Sequence, residues 1–152
     1  MFGWAAFGRA PFLSPRGAIM IVTAYGATPS VAATLARLRF GGSHDPSSHE
    51  GGTSWGAPRP VAVAGYRGMQ FDGTTWGRFG HAFIPFSART NGAGPPDSIY
   101  VEQGEAFRLV VLDVKGKRVV VFIDSAELPA DRFPAFLEDA GRLLKTLRFT
   151  AG

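Results

Sequence analysis

Two consecutive runs of β-forming residues, Ala106–Val114 and Arg118–Asp124, constrain the fold more than any other part of this chain. Lys115, Gly116 and Lys117 join them in a short glycine-bearing connection that is typical of a β-hairpin. In the first run, the residues on one face are Phe107, Leu109 and Val111, and those on the other are Val110, Leu112 and Val114. A strand that is apolar on both faces has to be covered on both. The hairpin is therefore predicted to lie centrally in a sheet, with a layer of structure above and below it.

The second constraint is a carboxyl-terminal segment whose apolar residues recur with the period of an α-helix. Its apolar positions are Phe133, Phe136, Leu137, Ala140, Leu143, Leu144 and Leu147. Asp131 is predicted to cap the start of this helix, and Glu138 to pair with Arg142 on its polar face. Gly141 costs a helix about 1 kcal/mol relative to alanine. We take this glycine to indicate close packing of the helix against the sheet.

A shorter amphipathic helix is predicted nearer the amino terminus. Thr28 followed by Pro29 is typical of a helix start. The apolar residues that follow at helical spacing are Val31, Leu35 and Leu38. Before them, Ala18–Ala24 is β-branched and apolar enough for a short buried strand. These elements predict an α+β protein, with a central antiparallel β-sheet flanked by helices in an α/β/α sandwich.

Two stretches rich in Gly, Pro and Ser interrupt these elements, at residues 41–60 and 87–98. The first has no apolar periodicity and is predicted to be a long surface loop. Further short strands are predicted at 61–64, 69–72 and 81–86. A turn is expected at 65–68. A chain of 152 residues has the usual size of one domain, so 1–152 is expected to form a single domain.

Composition excludes several classes of function. The chain has no cysteine, which removes disulfides, thiolate nucleophiles and cysteine-based zinc sites. Its net charge of +4 is diffuse, so nucleic-acid binding is not expected. It contains no phosphate-binding or dinucleotide-binding glycine pattern, and no cofactor is predicted. The longest apolar run is far shorter than a membrane span, and the opening residues lack the pattern of a secretory signal.

Three segments together resemble a group of actinobacterial secreted proteins and lipoproteins in the PsbP-like superfamily. They are PVAVAGYRGMQFD at 60–72, EQGEAFRLVVLDVKGKRVVVFID at 102–124 and PADRFPAFLEDAGRLLKTLRF at 129–149. The motifs are structural, so the resemblance implies a PsbP-like α/β/α sandwich and carries no catalytic residues. It also implies an extracytoplasmic location if a leader has been removed or missed.

The densest group of potential metal ligands lies in the first of the two loops. His44, His49 and Glu50 could hold an ion if the loop wrapped around it. Their spacing matches no standard metal-binding motif. The alternative is a solvated Gly/Ser loop that happens to contain two histidines.

Four further residues are candidates for contact with a ligand or partner: Trp55, Asp72, Trp76 and His81. Trp55 lies in a polar stretch, where it would either anchor a partner or fold back to cap the sheet. His81, among phenylalanines, is either a structural histidine or a base. The favoured hypothesis is a non-enzymatic binding or accessory domain for an unknown protein or small-molecule partner. The alternative is a small hydrolase-type enzyme with a loop-built site around Asp72 and His81.

The amino-terminal residues raise the question of a sheet edge. Phe2 and Trp4 alternate as strand residues do, and PsbP-like relatives usually place a further strand before the Gly3–Trp4 pair. Without such a strand, a sheet edge would be left open. The expected result is a homodimer through that edge, or its coverage by residues 5–15.

Overall fold

The structure is a computed structural model that describes residues 2–7, 17–22, 30–41, 51–77, 82–85 and 98–149. In these ranges the elements are β1 Phe2–Phe7, β2 Gly17–Val22, α1 Val31–Gly41, β3 Gly51–Trp55, β4 Arg59–Val63, β5 Tyr66–Gly77, β6 Ala82–Pro85, β7 Ser98–Val101, β8 Ala106–Val114, β9 Lys117–Asp124 and α2 Phe133–Leu144. None of the helices described combines the length and apolarity needed to span a membrane.

Seven of the strands form one antiparallel sheet. Its order is β1-β2-β9-β8-β5-β3, and β4 also pairs with β5. Strands β6 and β7 form a separate antiparallel pair. The β8–β9 hairpin lies between β2 and β5, so its predicted central position is confirmed.

One helix packs on each face of this sheet. The α1 face carries the buried side chains of Leu35, Leu38, Phe71, Val101, Phe107, Leu109, Val111, Val120, Phe122 and Met20. The α2 face carries those of Ile19, Val63, Val110, Leu112, Val114, Val119, Val121, Ile123, Phe133, Ala140 and Leu144. The two sets alternate along β8 and β9, as the sequence of a two-sided strand predicts. The α+β fold with an antiparallel sheet is thus confirmed.

Two tight hairpin turns depend on residues with left-handed backbone angles. Lys115 and Gly116 have φ values of 53° and 80°, and Ala64 and Gly65 have values of 50° and 83°. Two consecutive residues with positive φ are typical of the turn that matches the twist of antiparallel strands. The turn predicted at 65–68 is therefore shorter and lies at 64–65.

Gly68 belongs to β5 and has a different role from a turn glycine. A Cβ atom at this position would lie 2.0 Å from the carbonyl oxygen of Val111 on the neighbouring strand. The absence of a side chain lets the two backbones approach closely.

Both helices form as predicted, but their amino-terminal ends differ from the prediction. The Ser30 hydroxyl accepts a hydrogen bond from the Ala33 N–H at 3.1 Å and so caps α1, whereas the predicted helix start was at Thr28 and Pro29. Helix α2 begins after Arg132 and has no side-chain cap, so Asp131 does not cap it. On the polar face of α2, Arg142 pairs with Asp139 rather than with the predicted Glu138.

The predicted loop at 41–60 is shorter than expected. Residues 51–55 form β3, which pairs with β5 in register from Gly51 opposite Gly77 to Trp55 opposite Gly73. Backbone pairing of this kind needs no apolar alternation, which is why the pattern missed it. Residues 42–50 of this loop and residues 87–97 of the second predicted loop, 87–98, lie outside the described ranges, and Ser98 begins β7.

Candidate functional site

A polar cluster lies on the α2 face of the sheet, next to the apolar side chains that α2 covers. Asp72 of β5 and Arg108 of β8 are directly opposite each other in the strand register. Arg59 of β4 is opposite Gln70 of β5. Gln70 is two residues before Asp72, so the two side chains lie on the same face of the strand. Since opposite residues in an antiparallel pair share a face, the sheet itself brings the three charges together.

The Asp72 carboxylate accepts two hydrogen bonds from the guanidinium of Arg108, an arrangement that we call the arginine clamp. Arg108 donates from Nε to Asp72 Oδ1 at 2.6 Å and from Nη2 to Asp72 Oδ2 at 3.0 Å. Arg59 donates from Nη2 to Asp72 Oδ2 at 2.6 Å. The Arg108 side chain is 23% exposed and that of Arg59 is 54% exposed. Two-point pairing of this kind fixes the plane of the Arg108 guanidinium.

The charge state of Asp72 follows from these contacts. Partial burial by itself raises the pKa of Asp72, but the hydrogen bonds and positive charges of Arg108 and Arg59 outweigh it and lower the pKa below 3.8. An aspartate held ionised in this way is a weak base near neutral pH. The contacts of Asp72 therefore do not favour the hydrolase alternative.

A cavity of about 200 Å³ opens beside this cluster, between α2 and the sheet. Its polar lining comes from Gln70, Arg108 and Lys145. Its apolar lining comes from Val61, Val63, Val110, Ile123, Leu137 and Leu144. An apolar cavity of about 150 Å³ is large enough to hold benzene, so this space is sufficient for a small organic molecule. We call it the α2 cavity.

Gly141 lines the α2 cavity from the helix side. A Cβ atom placed on Gly141 would meet no atom of a neighbouring element within 4 Å. The sequence-based expectation that this glycine marks close packing against the sheet is therefore wrong. The missing side chain instead leaves open space at the cavity wall, although glycine weakens the helix by about 1 kcal/mol.

Trp55 lies on the opposite side of the sheet, away from the polar cluster. Its ring is 5.1 Å from that of Phe71 and 5.3 Å from that of Phe107, in edge-to-face geometry with both. It is partly buried against the α1 face. These contacts match the alternative in which Trp55 folds back onto the sheet.

Trp76 is the exposed large apolar side chain in the described ranges, with 49% of its surface accessible. It is opposite Gly52 of β3 in the register, and a Cβ atom at Gly52 would lie 3.6 Å from its ring. The alternation along β5 places Trp76 on the same face as Asp72, four residues further along the strand. The structure thus puts two of the four candidate residues on one face of one strand.

A second carboxylate-containing region lies on the α1 face, at the end of the hairpin. Asp124 is buried and accepts a hydrogen bond from the Ala126 N–H at 3.2 Å. Burial, together with the nearby negative charge of Glu105, raises the pKa of Asp124 to about 7. Burial also raises the pKa of Glu105, whose Oε2 accepts from the Glu102 N–H at 2.6 Å.

The remaining candidate residues lie outside the ranges that the structure describes. These are the proposed metal ligands His44, His49 and Glu50, and also His81. Within the described ranges, no three His, Asp or Glu residues are grouped so that they could hold a metal ion. The metal site and a role for His81 stay predictions.

Arg108, Arg59, Lys145 and the open position at Gly141 were not predicted as functional from the sequence. The sequence does contain one indication of the role of Arg108, which is a charged residue on an otherwise apolar face of a central strand. Such a residue needs a partner of opposite charge. The neighbouring strand offered Asp72, but the register that joins them depends on the turn at 64–65 and could not be read from the pattern alone.

No protein-family model and no curated protein matches this chain. Among solved structures, it is similar to a Pseudomonas aeruginosa protein of unknown function, suggested to be a regulator, with a TM-score of 0.57 and 11% sequence identity. The match covers 100% of this chain and 85% of that one. At 11% identity, the similarity shows a shared fold and does not by itself assign a function.

Proposed function

We propose that this protein is a non-enzymatic, PsbP-like accessory domain that binds a small organic molecule in the α2 cavity. The observation that carries the proposal is a space lined by both apolar and polar side chains, next to an arginine that Asp72 holds through two hydrogen bonds. Ligand sites in proteins commonly combine apolar walls with a few fixed polar groups. The α2 cavity has both.

Arg108 is well suited to a binding role because its pairing with Asp72 leaves part of the guanidinium unused. Nε and Nη2 donate to Asp72, and Nη1 has no hydrogen-bond partner in the ranges described. A guanidinium has five N–H donors, so donors remain for a ligand. The clamp from Asp72 lowers the entropy that Arg108 would otherwise lose on binding.

The similar solved structure supports a regulatory role for such a binding domain. The similar Pseudomonas aeruginosa protein is suggested to be a regulator. An accessory domain that is stabilised when a small molecule occupies it would suit a regulatory role, since binding to the folded state raises its stability by mass action.

The proposal is tested by thermal unfolding of the full chain with a panel of neutral and charged fragments of roughly ten non-hydrogen atoms, a size matched to the cavity. We expect at least one fragment to raise the melting temperature of the wild type. Gly141→Leu, which places a side chain in the cavity wall, should abolish that rise, whereas Gly141→Ala should largely keep it. A rise that persists in Gly141→Leu would place binding elsewhere, and the absence of any rise would contradict the proposal.

A further inference from the structure

We infer that the α2 cavity selects a small monocarboxylate with a compact apolar body, on the order of ten non-hydrogen atoms in all. This inference rests on the proposed function, because it names the ligand class of the same cavity. It follows from three properties of the lining residues: their charge, the arrangement of their polar atoms and the nature of the apolar wall.

Among the residues that the structure describes, the two charged ones that line the α2 cavity are both cations. They are Arg108 of β8 and Lys145, the residue that directly follows α2. Asp72 does not line the cavity and is paired with both Arg108 and Arg59. One negative charge thus faces two arginines, and Lys145 adds a third positive charge. The cavity therefore has an excess of positive charge that favours an anion.

Three polar side chains line the same space of about 200 Å³. Arg108 retains the Nη1 donors, Gln70 contributes a side-chain amide, and Lys145 contributes a flexible ammonium group. Arginine pairs well with planar carboxylates, and lysine acts on them as a point charge. A carboxylate is small enough to be held by these groups while its substituent extends along the apolar wall.

The apolar wall favours an organic anion over an inorganic one. Valine, leucine and isoleucine side chains from four elements, β4, β8, β9 and α2, provide most of the lining. Phosphate or sulfate would leave these side chains in contact with water, and the binding free energy of their burial would be lost. A carboxylate with an aromatic ring or a short alkyl chain uses both parts of the cavity.

The experiment is isothermal titration calorimetry of the full chain with phenylacetate, octanoate and the uncharged analogue phenylacetamide. Amide resonances are followed by NMR to locate binding. We expect phenylacetate to bind about tenfold more tightly than phenylacetamide, because a charge-assisted hydrogen bond is stronger than a neutral one. Added salt should weaken the binding of the acid more than that of the amide.

Matched variants separate charge recognition from general electrostatics. Lys145→Gln should weaken binding of phenylacetate several-fold and leave that of phenylacetamide nearly unchanged. Lys115→Gln makes the same change of charge at the exposed β8–β9 turn, at a residue that does not line the cavity, and should affect neither ligand. Gly141→Leu should remove binding of both.

The outcomes distinguish the ligand class from the proposed function. Equal affinities for the acid and the amide, both lost in Gly141→Leu, would overturn the carboxylate inference while the cavity remained a binding site. Binding of the acid with NMR shifts that map away from residues 61–63, 108–110 and 141–145 would overturn the inference as well. If no acid, amide or other fragment binds to the wild type, both the inference and the proposed function fail.

Discussion

At the scale of the residue, the structure assigns opposite roles to glycines that look alike in the sequence. Gly68 and Gly141 both interrupt regular elements. At Gly68 a Cβ atom would lie 2.0 Å from a backbone oxygen, whereas at Gly141 it would meet nothing from a neighbouring element within 4 Å. The first glycine is required by packing, and the second is not.

This contrast predicts opposite effects of one substitution. Gly141→Ala should stabilise the fold by about 0.5 to 1 kcal/mol, because alanine favours the helix and the position is open. Gly68→Ala should destabilise it by about 1 to 3 kcal/mol, because two central strands would have to move apart. Urea unfolding of both variants measures the difference. A destabilised Gly141→Ala would mean that the helix does pack closely there.

Asp124 predicts a dependence of stability on pH. Its pKa is about 7 in the folded protein, well above the ordinary value of 3.8 for an aspartate. At a pH between these two pKa values, Asp124 is protonated in the folded state and ionised in the unfolded chain. The free energy of unfolding contributed by this group therefore falls as the pH rises from about 4 to about 7.

Asp124→Asn should remove this contribution, because an amide does not ionise and can still accept the hydrogen bond of the Ala126 N–H. We expect the wild type to lose at least about 1 kcal/mol of stability from this group between pH 5 and pH 8, since one pKa unit corresponds to about 1.4 kcal/mol. The loss should be smaller in the variant. Asp131→Asn, at an exposed position, is the control and should behave as the wild type. The same pH dependence in Asp124→Asn as in the wild type would rule out this origin.

Among the secondary-structure elements, those with the strongest periodic patterns in the sequence were the ones whose buried side chains were predicted best. Leu109, Val111 and Val121 of the predicted hairpin and Leu144 of the predicted helix are all buried, with exposures of 4% or less. The helix that carries Leu144 packs on the sheet through its apolar side. Removing part of that side chain, which also lines the α2 cavity, should therefore enlarge the empty space between the helix and the sheet.

Leu144→Ala should lower the free energy of unfolding by about 2 to 5 kcal/mol, the range for leucine truncation in a packed core. Glu138→Ala on the exposed side of the same helix is the control, and its effect should stay within about 0.5 kcal/mol. Chemical unfolding followed by circular dichroism measures both. Leu144→Ala with the stability of the wild type would show that α2 is not docked on the sheet.

What could be predicted from the sequence depends on how local the determining interaction is. The hairpin and the two helices have patterns contained within one segment, and they were found. Strand β3 was missed because Gly51–Trp55 is a strand only through its pairing with a distant segment of β5. The arginine clamp was missed for the same reason, since Asp72 and Arg108 meet only once the register between β5 and β8 exists. Long-range register cannot be inferred from periodicity in one chain.

At the scale of the whole molecule, the order of the strands predicts where copies of the protein could meet. Strand β1 pairs with β2 on one side and lies at the end of the sheet order. In the part of the chain that the structure describes, no strand pairs with its other side. Unpaired backbone groups on a six-residue edge strand favour addition of a strand from a second molecule.

We therefore expect concentration-dependent self-association of the full chain, measured by light scattering and analytical ultracentrifugation. Proline removes one backbone N–H, and successive residues of an edge strand direct their N–H groups alternately toward the neighbouring strand and away from it. Of Ala5→Pro and Ala6→Pro, one should disturb the β1–β2 pairing and lower the melting temperature. The other should leave the melting temperature nearly unchanged and weaken association. If the wild type stays monomeric at every soluble concentration, or if neither variant changes its association, the β1 edge is not a contact between copies.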